Sequence, residues 1–248
     1  MTRLFDKPVL LPREVLIRAW ELADVGPPHP LLDESNMYVP QADRAEATRR
    51  VLQELEQRGL AKGELLTPEF RTALHVLSTP SRELYCWSTD VHDAARDHRL
   101  GLAVSGGDGV GMHIRGETAA LASFDDRRLV NEFVAELPEY PIASVPELHV
   151  PRGDFDERGA DHHMFASRAG VPQQLDALLS APRERIHQVY VGGTVDDVHR
   201  RSKPFSIVDV EGRGRVVAYA DGAATIHCLP GAPGNLARAF DATWRAMS

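Results

Sequence analysis

The sequence predicts an α/β (α+β) fold with a quasi-two-fold repeat, and three observations carry the prediction. Leu-Ser-x-Pro followed by arginine and glutamate is written twice, as LSTPSRE from Leu77 and LSAPRE from Leu179. A helical pattern precedes each phrase and a strand-like stretch with an aromatic residue follows it. A glycine-rich turn then recurs at the matching place, Gly-Gly-Asp-Gly from Gly106 and Glu-Gly-Arg-Gly from Glu211. Self-similarity of this kind is looked for before any single element is assigned.

Residues 11–24 form an amphipathic helix with Val15, Leu16, Ala19, Trp20 and Ala23 on one stripe, and GPPHP stops it. Residues 43–58 are a second helix, closed by Gly59. The first copy opens with a helix over 68–78, where Pro68 suits the first turn and Pro80 ends the run. A strand covers 83–89, and a polar stretch, DVHDAARDHR, is helix or loop. Alternating apolar residues on both sides of Gly106–Gly109 predict a hairpin, because glycine takes the positive φ that tight turns require. A short strand (119–124) and a helix with Leu129, Val130, Phe133, Val134 and Leu137 on one stripe complete the unit.

Residues 138–170 are rich in proline, glycine and charge and read as a connector, within which VPELHV is an edge strand. The second copy runs helix (172–180), strand (185–193), polar helix or loop (TVDDVHRRSK), hairpin (FSIVDVEGRGRVVAYADG) and short strand (ATIHCL). Its closing helix aligns Leu236, Ala239, Phe240, Thr243, Trp244 and Met247. The expected organisation is residues 1–140 as an N-terminal half with two extra helices, 141–170 as connector and 171–248 as C-terminal half, integrated as one domain.

Composition narrows the function. The 248 residues carry a net charge of −8, so no basic field attracts nucleic acid or anionic lipid. No apolar run approaches membrane-span length, and MTRLFDKPVLLPREVL lacks a signal-like apolar core. With only Cys86 and Cys228, reduced buried thiols and a cytoplasmic location are expected.

No residue cluster asks for catalysis. AVSGG lacks the G-x-S-x-G pattern and leads into another strand, not a helix. GGDGVG has Met112 where a dinucleotide fingerprint needs glycine. The best metal candidate is Asp161-His162-His163 with Asp154, Asp156 and Glu157 nearby, but adjacent histidines diverge on any regular element. The expectation is no enzyme, no cofactor and no bound metal. A hydrolase or metal-dependent enzyme using the 154–163 segment is the alternative, as is a self-associating structural protein or homodimer.

Strand alternation supplies the candidate binding residues. In ELYCWS, Leu84 and Cys86 share one face while Tyr85 and Trp87 take the other. Ile186, Gln188 and Tyr190 alternate with His187, Val189 and Val191, and Tyr219 opposes Ala218 and Ala220. If one sheet face stays partly open, it offers an apolar surface to a protein partner. The partner-binding set read this way is Tyr85, Trp87, His113, Val189, Val191 and Tyr219.

The whole order resembles the EspG family of type VII (ESX) secretion-associated proteins. The resemblance rests on VLIRAWELADVG with its proline-rich turn, ELEQRGLAKGELL, the Leu-Ser-x-Pro-x-Arg-Glu-Leu junction, the glycine hairpin and LVNEFVAELPEYP. PRERIHQVYVGG, FSIVDVEGRGRVVAYADG and the closing helix extend it over essentially the whole chain. The resemblance implies one central antiparallel sheet flanked by helical bundles. It also implies a non-enzymatic cytosolic chaperone that binds PE–PPE heterodimers at the helical tip and keeps them soluble until export. The partner expected is such a PE–PPE-like pair or another type VII substrate.

Overall fold

A computed structural model describes residues 3–32, 43–157 and 170–247. In chain order its elements are β1 (Val9–Pro12), α1 (Arg13–Ala23), α2 (Arg44–Gln57), β2 (Ala61–Lys62), β3 (Leu65–Leu66), α3 (Pro68–Ser78), β4 (Arg82–Asp90), β5 (His98–Ser105), β6 (Asp108–Arg115), β7 (Thr118–Phe124) and α4 (Leu129–Glu136). Then follow β8 (Leu148–Pro151), α5 (Arg152–Asp156), α6 (Val171–Leu179), β9 (Arg183–Val195), β10 (Val198–Arg201), β11 (Phe205–Val210), β12 (Gly214–Ala220), β13 (Thr225–Pro230) and α7 (Pro233–Met247).

One large sheet organises the chain, in the order β1-β7-β6-β5-β4-β9-β11-β12-β13-β8, with β10 paired to β9 beside this path. Every pairing in it is antiparallel. The middle of the sheet is β4 against β9, with Tyr85 opposite Tyr190 and Trp87 opposite Gln188. Each end is a four-residue strand closing on proline, β1 at Pro12 and β8 at Pro151, and each runs straight into a helix.

Strand parity distributes three cores. On one face Tyr85, Ala103, Val110, Met112, Ile114, Ala119 and Leu121 meet α1, α2 and α3. On the opposite face Leu84, Cys86, Leu100, Val189, Ile207 and Val217 meet α4 and α7. There Phe133 and Phe240 touch edge to face with centroids 5.9 Å apart, a geometry worth about 1 kcal/mol beyond the area buried. The third core, with Val208, Val210, Val216 and Ala218, lies under α6. These residues have the opposite parity to Ile207 and Val217, so α6 shares the first face with α1 to α3.

The local reasons for the helices are those the sequence carries. All five stripe residues of α1 are buried. Thr67 caps α3 by accepting from the Phe70 amide, with Pro68 at the first helical position. Gly106 and Gly107 take φ values of 60° and 89° between β5 and β6.

Two expectations change. TVDDVHRR is neither helix nor loop: β9 runs on to Val195 and turns back into β10. Asp196 and Asp197 adopt φ of 50° and 60°, the left-handed pair that a two-residue hairpin needs and that aspartate tolerates. In the matching stretch of the first half a loop with one 3₁₀ turn, Ala94–Arg96, is found instead. Strand β1 also precedes α1 and takes Leu11 and Pro12 from the stretch expected to be helix.

Candidate functional site

The six predicted contact residues do not share a surface. Tyr85 and Trp87 lie on the α1–α3 face, whereas Val189, Val191 and Tyr219 pack on the α4/α7 face. His113 has the parity opposite to Met112 and Ile114 and joins the second group. Tyr85, Val189 and Val191 are wholly buried, which corrects their reading as open-face residues: the α4/α7 layer covers the two valines, and His29, from the segment after α1, packs on Tyr85. Trp87, His113 and Tyr219 are half-buried and keep some surface.

His113 lines a shallow apolar cavity of about 270 Å³ beside α4, floored by Gly111, Ala120 and Ala122. Burial, then the nearby charges of His98 and Arg115, push its imidazole down to about 4.

One part of the α1–α3 face is left uncovered, and it is the centre. Trp87 and Tyr190 are half-buried and Gln188 and Thr89 are exposed, flanked by half-buried Ile186 and Ser206. The register explains the grouping: Trp87 pairs Gln188, Thr89 pairs Ile186, and Ser206 pairs Gln188 from the other side. The strip therefore crosses three strands between the α1–α3 layer and α6. At one end it opens into a cleft of about 390 Å³ lined by Trp87, Thr89, Arg99, Arg13 and Glu117.

Aromatic packing holds the strip rigid. Tyr85 stacks on Tyr190 with centroids 5.2 Å apart, and Trp87 stands edge-on to both at 5.6 Å. The Arg201 guanidinium from β10 lies 5.7 Å from the Tyr190 ring centre. Beneath them Glu83, on the same face, receives His199 Nε2 at 2.7 Å and His29 Nε2 at 3.3 Å. His29 Nδ1 accepts the Leu31 amide, so its proton sits on Nε2 and points at the carboxylate. Burial would raise the Glu83 carboxyl, but the hydrogen bonds from His199 and His29 outweigh it and hold it below 4.5. Gly192 sits opposite Glu83, and a Cβ there would come within 2.5 Å of the carboxylate.

On β9 the sequence reading selects Val189 and Val191, whereas Gln188 and Tyr190 are the residues that lie beside Trp87. Alternation separates Gln188 and Tyr190 from Val189 and Val191, but only the β4–β9 register says which set joins Trp87.

Among the described residues no group of three or more His, Cys, Asp or Glu side chains is placed to hold a metal ion. Asp154, Asp156 and Glu157 lie on or just after the short helix α5, while Asp161, His162 and His163 fall outside the described residues. No described helix is long and apolar enough to cross a membrane.

Comparison with known proteins agrees with this architecture. Among solved structures, the Mycobacterium tuberculosis type VII secretion system chaperone EspG5, in complex with the PE25–PPE41 dimer, is similar at a TM-score of 0.65. The two are 16% identical, and the match covers 93% of each chain. No curated protein sequence matches. The EspG family model matches residues 14–242, nearly the whole length, and the chain belongs to the EspG family.

Proposed function

We propose that this chain is a non-enzymatic cytosolic chaperone of a type VII secretion system that binds PE–PPE-type substrates and keeps them soluble before export. The observation that carries the reading is the family match over residues 14–242, joined to a fold similar to that of EspG5, which was solved with a PE–PPE dimer. The docking surface in this reading is the central strip of Trp87, Thr89, Gln188 and Tyr190. A half-buried aromatic pair within a polar surround is the composition of a releasable interface.

The same reading treats the chain as two copies of one unit joined into one domain, 1–140 and 171–248 around the 141–170 connector. The strand order supports it. Outward from the centre, β4, β5, β6 and β7 on one side correspond to β9, β11, β12 and β13 on the other. The edge strands β1 and β8 each lead directly into a helix. The core beneath α4 and α7 draws on both halves, which supports one domain over two.

Co-expression with a PE–PPE-type dimer, followed by size-exclusion light scattering and calorimetry, tests the function. A 1:1 complex is expected, and the same scattering run reports any pairing of the free chain with itself. Trp87→Ala removes the anchor and is expected to weaken binding about thirtyfold, the effect of a hot-spot residue. Gln188→Arg and Thr89→Arg alter exposed positions without opening the core and are expected to weaken it as well. Absence of a complex with the wild-type chain overturns the function. A complex that tolerates all three substitutions overturns the strip and leaves the function standing.

A further inference from the structure

A second polar cluster lies at the other end of the sheet, on the face that carries α4 and α7. His149 on β8 and His227 on β13 are direct cross-strand partners. Their Nδ1 atoms are 2.8 Å apart, and the rings meet at 70°. Two imidazole nitrogens facing each other at this distance share one proton at most, and the surroundings say whose it is. Asp221 Oδ2 lies 3.0 Å from His227 Nε2, while its Oδ1 accepts the Thr225 amide at 2.8 Å. A carboxylate only accepts, so His227 carries its proton on Nε2 and turns a lone pair on Nδ1 toward His149. His149 then donates from Nδ1. Tyr219 stacks flat on the His227 ring at 4.9 Å and 17° and fixes its plane. Glu147 Oε2 stands 3.9 Å from the outer nitrogen of His149 and is itself paired with Arg238 at 3.4 Å.

We propose that His149 and His227 form a two-imidazole site for a divalent first-row transition ion such as Zn²⁺, with Asp221 as the positioning residue. One imidazole already presents a lone pair at the shared point. The other presents one as soon as its proton moves to Nε2, which faces solvent and Glu147, with no net change in protonation. Imidazole suits Zn²⁺, Ni²⁺ and Cu²⁺. Metal–nitrogen bonds of about 2.0–2.1 Å at a near-tetrahedral angle need the two nitrogens roughly 3.3 Å apart, so the rings part by about 0.5 Å. Strand pairing holds both backbones, and side-chain rotation supplies that movement. The carboxylate on the far nitrogen of His227 is the arrangement that orients metal-bound histidine and raises its basicity. No third protein side chain among the described residues completes a ligand set, so water fills the remaining positions. The side chains of His149 and His227 are 50% and 20% exposed, which leaves an ion free to enter.

Titration of the untagged full-length protein with ZnCl₂ in a non-chelating buffer at pH 7.5, followed by calorimetry, tests the site. One equivalent is expected to bind to the wild type and to be lost in both His149→Ala and His227→Ala. Asp221→Asn is expected to weaken it by about 10–100-fold while leaving the stoichiometry intact. Imidazole ¹⁵N spectra are expected to show Nδ1 of both rings as the ligated nitrogens. Thermal melts of the metal-free variants check folding. Unchanged Zn²⁺ binding in the His149→Ala/His227→Ala double variant assigns the ion to other histidines and overturns the proposal. No binding by the wild type below millimolar Zn²⁺ overturns it equally.

Discussion

Glu83 and His199 are joined by a 2.7 Å hydrogen bond that ties the β9–β10 hairpin to the middle of the sheet. The bond to Glu83 raises the His199 imidazole above 6.5 despite some burial, while Glu83 is held below 4.5. The signs follow. The His199 contribution is fully present below 6.5 and is lost as pH rises through its folded value. The Glu83 contribution is present above 4.5 and is lost as pH falls through its folded value. The pair therefore stabilises most between these limits. Urea unfolding of the wild type is expected to weaken between pH 6 and pH 8.5 by more than that of His199→Gln. The difference should be about 1 kcal/mol, a charge-assisted hydrogen bond discounted for an exposed imidazole. Equal losses in both proteins would show that the bond does not hold the hairpin.

Asp209 and Arg215 form a two-pronged ion pair at 2.6 and 2.9 Å, with Asp209 wholly buried. The same guanidinium donates to the Pro138 carbonyl at 2.8 Å, which fastens the start of the connector to β12. Asp209→Ala leaves a buried cation without its partner and is expected to cost about 3–5 kcal/mol. Chemical denaturation would read this as a lowered midpoint at similar slope, and a loss under 1 kcal/mol would contradict the packing described.

At Gly193 on β9 glycine is required by a backbone neighbour. A Cβ on Gly193 would collide with the Ser81 carbonyl oxygen, a backbone atom that cannot swing away. Gly193→Ala is expected to destabilise by about 1–3 kcal/mol. Gly234→Ala is the matched control: it lies in the first turns of α7 with nothing within 4 Å of the added carbon. That variant should be neutral or slightly stabilising in the same melt.

The two thiols should be inert in the folded protein. Both cysteines are buried, and burial pushes Cys86 up to about 12 and Cys228 to about 11. Reaction with a disulfide reagent at pH 8 is expected to be negligible until denaturant is added, when two equivalents should react. Fast reaction of either thiol in the native protein would contradict its placement.

Elements with a local cause were legible in the sequence. The stripe of α1, the Pro68 entry to α3 and the glycine turn between β5 and β6 each follow from residues a few positions apart. What was not legible depends on pairing between distant segments. β1 is a strand because it hydrogen-bonds β7, with Val9 opposite Leu121; four residues alone do not announce this. The face on which Val189 and Tyr190 fall relative to Trp87 is set by the β4–β9 register, which no local pattern encodes. Burial of Tyr85 required knowing that the segment after α1 folds back over β4 and sets the His29 ring 5.1 Å from that of Tyr85. The polar alternation in TVDDVHRR misled for a related reason, since the second strand of its hairpin is exposed on both faces.

The proline-ended rims of the sheet have a consequence for the company this protein keeps. A wide antiparallel sheet invites a foreign backbone to add itself at an open side. Here each rim offers three residues before a proline nitrogen, which has no hydrogen to donate, and the chain then coils away. Among the described residues a further open side, along β10, ends in the charged pair Arg200 and Arg201. A carrier of sticky cargo built in this way is a poor seed for fibres, even when crowded with unfolded clients.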